Sequence, residues 1–289
     1  MKQFLKFCRP LQQFKNLIIF LPLITSSKLF DLDNITDLII SLISMIIITS
    51  VCYITNDFKD KEADKLNLLK KRKNLPRFIN LKFIIILNLS LIFLILVSQF
   101  FFGYILFTLY YLGIFYIYVF FAKKVQYVDI LFLVFFYIFR IYYGAHVADI
   151  EITKIFISFF ITLFLTLSIY KRLVQIHKNK LKNKNSIIAY SVNDIRKLKI
   201  FLIISIISNN FIFVSYLYND KNILNISPYE NFEFLIILIL NILTHARIYR
   251  LFINNKINEE FYNFILKDKL ITFSVLICIV ILIIKKIFI

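Results

Sequence analysis

Asp57, Asp60 and Asp64 are separated by three and then four residues. On a helix this spacing puts three carboxylates on one face, stacked over two turns. Like charges so placed destabilise a helix by roughly 0.2–0.5 kcal/mol per pair, so the stretch calls for a counter-cation. Hard divalent ions such as Mg2+ take oxygen ligands, keep several waters and often bind through one or two carboxylates plus substrate phosphates. Asn56 precedes the acids, and Lys70, Lys71, Arg72, Lys73 and Arg77 follow them. Metal-holding carboxylates beside a basic stretch suit a polyphosphate. The plainer alternative is a solvated helix end on which Lys59, Lys61 and Lys65 balance the acids.

Further along, Asp129 offers a second carboxylate, expected on a facing loop and suited to metal or to sugar hydroxyls. Lys15, Lys70, Lys71, Lys123, Lys124 and Arg140 are candidates for phosphate contacts. Arg140 stands in the middle of an apolar run, where a charge costs about 2.5–3.5 kcal/mol on insertion scales and faces the protein interior. Its structural alternative is a pair with Asp129 or with a backbone carbonyl. His146, His177 and His245 are scattered and read as structural, and three glycines leave no glycine-rich phosphate loop. Cys8, Cys52 and Cys278 are too far apart in sequence to suggest a disulfide framework or a zinc site.

The elements that must position these groups follow from composition. The chain has 289 residues, 60% hydrophobic and 18% charged. Soluble domains carry about 45–50% apolar and about 25% charged residues. The shortfall of charge excludes a water-soluble globule and a disordered chain, and predicts an all-α integral membrane protein. A span needs roughly 20 apolar residues. Residues 83–122 form 40 consecutive positions without a charge, enough for two helices and a turn. With runs near 14–30, 37–55, 130–148, 153–170, 200–218, 231–246 and 270–289, nine transmembrane helices are expected in one polytopic domain, 1–289. No short apolar core followed by a small-residue cleavage site opens the sequence.

Charge fixes the expected orientation. With a cytoplasmic N-terminus, segment 1–15 and the inner loops 56–82, 123–129, 171–199 and 247–269 hold 29 of the Lys and Arg residues, against 5 in the outer segments. Such asymmetry is what the positive-inside rule describes. The net charge of +18 therefore needs no nucleic acid, since orientation and attraction to anionic headgroups account for it.

On these residues the chain resembles the UbiA-type intramembrane prenyltransferases. Asn56-Asp57-x-x-Asp60-x-x-x-Asp64, after the second of nine expected helices, is similar to their first aspartate motif. Within that superfamily it most resembles the branch of decaprenyl-phosphate phosphoribosyltransferases. Arg9-Pro10-x-Gln12-x-x-Lys15-Asn16, followed by an apolar run containing Pro22, is similar to that branch's N-terminal signature. Tyr118 through Lys123, then Asp129, Arg140, Gly144 and Ala145, follow its second-motif region, in which Asp129 stands alone. Lys171-Arg172, Tyr190, Arg247-x-x-Arg250 and Asp268 also keep its order and spacing.

The resemblance implies a UbiA-like helical bundle in a cell inner (plasma) membrane with its active site toward the cytoplasm. It implies Mg2+-dependent transfer of a 5-phosphoribosyl group from phosphoribosyl pyrophosphate to a polyprenyl phosphate, with release of pyrophosphate. Asp57, Asp60 and Asp64 would hold the metal and the pyrophosphate, Asn56 would orient them, and Asp129 would act beside them. The product would feed cell-wall biogenesis by family analogy. Two other readings stay open. A sister prenyltransferase would take a prenyl diphosphate as donor and an aromatic or lipid acceptor. A transporter would line a solute path with its charges, but the acids cluster at one boundary and no internal repeat is visible.

Overall fold

A computed structural model describes residues 8–26, 28–61, 79–99, 102–103, 106–180, 190–191, 193–219, 232–254, 265 and 267–287. All regular secondary structure among the described residues is helical, with no strand. A 3₁₀ helix, Pro10–Phe20, passes into a short helix α1 (Leu21–Thr25). There follow α2 (Leu32–Lys59), α3 (Leu81–Gln99), α4 (Phe107–Phe120), α5 (Val128–Val147), α6 (Lys154–Lys180), α7 (Asp194–Asn219), α8 (Phe232–Ile253) and α9 (Lys269–Ile287).

Six of these helices are long and apolar enough to cross a membrane: α2, α3, α5, α6, α7 and α8. The apolar part of α9, Lys269–Ile284, is shorter, and α4 has 14 residues. The run expected at 14–30 is a composite. Proline opens the 3₁₀ segment at Pro10 and recurs at Pro22 near the start of α1. Proline fits the first turn of a helix because its missing N–H is not needed there. Elsewhere helices outrun the apolar stretches that predicted them. Residues 171–180 continue α6 and 194–199 open α7, so both ends of the expected 171–199 loop are helical.

α5 is the axis of the bundle. On one side it packs with the N-terminal segment, α2 and α4 around Ile19, Met45, Tyr111, Phe139 and Tyr143. On the other, Ile130 joins a second core with Tyr170, Leu173, Leu198, Leu202 and Leu251 from α6, α7 and α8. Gly144 permits the closest approach on the first side. A Cβ there would overlap the backbone of Ile19, lying 2.8 Å from its carbonyl carbon. α3, by contrast, leaves Ile86, Leu89 and Phe93 exposed. A helix that is apolar yet uncovered by protein suits contact with lipid.

Mid-bundle polar residues tie the second half together. Asn241 donates to Asn209 Oδ1 at 2.9 Å and to Asn210 Oδ1 at 3.2 Å, while Asn209 donates to the Phe159 carbonyl and to Thr162. Interhelical bonds of this kind hold apolar helices in register where lipid offers no hydrophobic drive. At one end of the bundle Lys28 pairs with Asp149 at 3.4 Å. The ion pairs of Arg9, Lys123 and Arg172 lie toward the opposite end, where the residues expected in the inner loops meet.

Candidate active site

α2 delivers Asp57 on its last turn, and Asp60 follows the helix end with its N–H bonded to the Asn56 carbonyl at 2.9 Å. Acids are ill placed at a helix C-terminus, where the dipole is negative. Both are nonetheless buried, Asp57 at 6% and Asp60 at 8% exposure. Cations from elsewhere in the chain offset the charge. Arg9 pairs with Asp57 Oδ1, and Lys123 pairs with Asp60 Oδ2. Asn56 joins this second pair, donating to Asp60 Oδ2 at 3.1 Å and accepting from Lys123 at 3.1 Å. Lys59 turns the other way, donating to the Val119 carbonyl at 2.9 Å and lying 3.6 Å from the centroid of the Phe120 ring. It thereby ties the end of α2 to the end of α4.

Asp129 lies in the first turn of α5 rather than on a loop, and it is fully buried. Its partner is Arg172, while Tyr190 donates to its Oδ1 at 2.6 Å. The Tyr190 oxygen in turn accepts the Tyr127 N–H at 2.6 Å. Tyr127 holds a positive φ of 64°, a conformation that side chains other than glycine rarely adopt. Burial and then the hydrogen bond to Asp129 push the Tyr190 hydroxyl well above the usual tyrosine range, so it remains a donor near neutral pH. Arg172 also donates to Tyr118 at 3.3 Å and to Gln175 at 2.6 Å. Tyr118, near the end of α4, thus meets the Asp129–Arg172 pair through Arg172, and Lys59 brings the end of α2 that carries Asp57 and Asp60 to the same end of α4.

Arg140 belongs to a different network, deeper in the bundle. Its Nε donates to Asn16 at 2.8 Å, its Nη2 to the Tyr111 hydroxyl at 2.9 Å, and its Nη1 to the Phe136 carbonyl. Of the two structural partners expected for it, a carbonyl is present, and Asp129 is taken by Arg172. Lys15 is half-buried on the 3₁₀ segment, and Lys124 is exposed beside Lys123. Asp64, Lys70 and Lys71 lie outside the described residues. Arg9, Arg172 and Tyr190 enter the sequence reading through the family resemblance, without an assigned role at the site. Their signal was faint: one Arg-Pro step, one basic pair after a span, and one tyrosine in a Lys/Asn-rich loop.

As for a metal, no three His, Cys, Asp or Glu side chains gather closely enough to share one among the described residues. The donor chemistry of Asp57, Asp60 and Asn56 still suits a hard cation, since all three offer oxygen. Asp57 Oδ2 is buried and has no hydrogen-bond partner among the described residues, which leaves one carboxylate oxygen available. The chemistry of these acids and bases at one end of the bundle suits a small, dense anionic or metal–anion group.

No protein-family model matches the chain, and no curated protein matches it in sequence. Among solved structures, the chain is similar to digeranylgeranylglyceryl phosphate synthase, described from membranes. The TM-score is 0.62 at 17% identity, covering 100% of this chain and 99% of that one. An identity this low speaks for the architecture alone. The chain shares, over its whole length, the fold of a membrane-embedded synthase.

Proposed function

We propose that this chain is an intramembrane transferase of the UbiA type that moves a 5-phosphoribosyl group from phosphoribosyl pyrophosphate to a polyprenyl phosphate. The observation that carries the reading is the trio of carboxylate–cation pairs with buried acids, Asp57–Arg9, Asp60–Lys123 and Asp129–Arg172, at one end of the bundle, where α4 meets α2 through Lys59 and α6 through Arg172. Taking charges out of water is costly, and three such pairs at one end of the bundle are more than helix packing requires. A site for a diphosphate and its counter-ion accounts for them.

In this reading the donor's diphosphate lies against Arg9 and Lys123, with Asn56 fixing the Asp60 carboxylate. A Mg2+ ion held by Asp57 and Asp60, with Asp64 as the third expected ligand, would polarise the leaving pyrophosphate and offset its charge. The bond from ribose C1 to the pyrophosphate oxygen breaks, and the electron pair leaves with pyrophosphate. A bond from the acceptor phosphate oxygen to C1 forms. That oxygen is already anionic, so the chain need not supply a strong base. Basic side chains around the site oppose the charge that develops in the transition state. Asp129, neutralised by Arg172 and hydrogen-bonded by Tyr190, orients the guanidinium, and Lys15, Lys124 and Arg140 remain candidates for further phosphate contacts. Nine spans with the site toward the cytoplasm complete the proposal.

The structural likeness to digeranylgeranylglyceryl phosphate synthase favours a second reading, in which a prenyl diphosphate is the donor and a lipid or aromatic the acceptor. The same assay separates the two. Purified protein with Mg2+ and labelled phosphoribosyl pyrophosphate is expected to move label into an organic-extractable polyprenyl phosphate. Label that stays aqueous, while a prenyl diphosphate is consumed, would replace the first reading with the second.

A further inference from the structure

Arg9 reaches Asp57 from an unusual backbone. Its φ of 49° and ψ of 63° put it in the left-handed region, immediately before the 3₁₀ helix that begins at Pro10. For a residue with a Cβ this conformation costs roughly 1–2 kcal/mol and persists only where the surroundings over-determine it. Two bonds do so here. On the C-terminal side, the Arg9 carbonyl accepts the Gln12 N–H at 2.8 Å. On the N-terminal side, the Cys8 carbonyl accepts from Gln13 Nε2 at 2.8 Å, which fixes the peptide plane about which the Arg9 φ is measured.

Gln13 is itself immobilised. Its Nε2 also donates to Ser50 Oγ at 3.0 Å, and its Oε1 accepts from Asn16 at 2.8 Å and from Thr49 at 2.7 Å. A primary amide has two N–H donors and two acceptor lone pairs, and each of the four meets a neighbour here, with the single Thr49 proton shared between Gln13 and the Met45 carbonyl at 2.6 Å. Ser50 and Thr49 lie on α2, the helix that carries Asp57, and Asn16 is held from α5 by Arg140. Gln13 therefore links the peptide next to Arg9 to the helix that bears its carboxylate partner. The guanidinium is then steadied by Gln12 Oε1 at 3.3 Å and by the Tyr53 ring.

We propose that Gln13 is a positioning residue that holds Arg9 in its left-handed conformation against Asp57, and so sets the affinity of the site for a diphosphate. The proposal rests on the reading of that site as a diphosphate site. Arg140 and Asn16 are the anchor behind it.

The test uses the full chain purified in detergent, with magnesium and inorganic pyrophosphate titrated calorimetrically and thermal unfolding followed in parallel. Gln13→Met, similar in length and without polar hydrogen bonds, is expected to weaken pyrophosphate binding about tenfold, the size of one or two lost hydrogen bonds. Arg9→Ala is expected to weaken it at least as much. Because Gln13 acts through Arg9, the double variant Arg9→Ala/Gln13→Met should bind no more weakly than Arg9→Ala alone. Gln13→Asn keeps the amide but shortens its reach. It is expected to give an intermediate loss and serves where Gln13→Met does not yield folded protein. Losses that multiply in the double variant, or Gln13 variants that bind like the wild type, overturn the inference and leave the functional reading in place. Wild-type protein that binds no magnesium pyrophosphate overturns both.

Discussion

Removing Arg172 alone should do more damage than removing it together with Asp129. Each is almost wholly buried, and each neutralises the other. Breaking such a pair from one side costs about 3–5 kcal/mol because a charge is left buried without its partner. Arg172→Met is therefore expected to lower the unfolding midpoint sharply, and Asp129→Asn in the same chain to restore part of it. Asp57 stands differently, since one of its oxygens is uncommitted. Asp57→Asn leaves Arg9, which is more exposed than Arg172, without its charge partner, so a smaller drop in the unfolding midpoint than for Arg172→Met is expected. Label transfer to lipid is expected to fall by about 10²–10³, the scale of a lost electrostatic contact in the transition state. Tyr190 adds a pH argument. A raised hydroxyl pKa means that its contribution to stability is fully present below the ordinary tyrosine pKa of about 10 and fades only above it. Tyr190→Phe should therefore lower the midpoint equally at pH 7 and pH 9. A smaller effect at pH 9 would show that the hydroxyl already ionises there.

Between elements, the N-terminal segment is the piece on which the site depends. It supplies Arg9, and it rests on α5 where Gly144 lets the two backbones meet. Gly144→Ala would press a methyl group into the Ile19 carbonyl and force the segment outward. Overpacking of this kind costs about 1–3 kcal/mol. We expect a lowered unfolding midpoint together with a weakened response to magnesium pyrophosphate, measured on the same preparation. In the other half of the bundle the asparagines of α7 and α8 act at a distance from the site. Asn209→Leu is expected to cost about 0.6–1.7 kcal/mol, the range found for interhelical bonds in membranes, with pyrophosphate binding unchanged. That contrast separates packing from site geometry.

For the molecule as a whole, one end of the bundle gathers the acid–base pairs and the apolar flanks supply the solvent boundary. The proposed topology puts the Lys- and Arg-rich loops at the end where these pairs lie. Orientation can be read directly with membrane-impermeant thiol reagents on intact cells whose native cysteines have been replaced. A cysteine at position 28 is expected to be labelled from outside and one at position 124 only after the cells are opened. The reverse pattern would invert the proposed topology and place the site on the outer face.

Composition alone determined that this chain lives in a membrane, because apolar excess and scarce charge depend on residue counts and not on contacts. Local spacing was enough to put Asp57 and Asp60 about one turn apart, and they lie on the last turn of α2 and at its cap. The order of apolar runs likewise marked where the helices fall, although Pro10 and Pro22 made a composite of the first and charged residues extended others past their apolar stretches. Partner choice was beyond reach of the sequence. Asp57 meets Arg9 across 48 positions, Asp60 meets Lys123 across 63, and Tyr190 meets Asp129 across 61. Ion pairs are set by distance in space, and only the packing of α5 between the two halves brings those charges together. The same packing sends Arg140 to Asn16 and Tyr111 rather than to an acid, and gives Gln13 its hold on the peptide before Arg9.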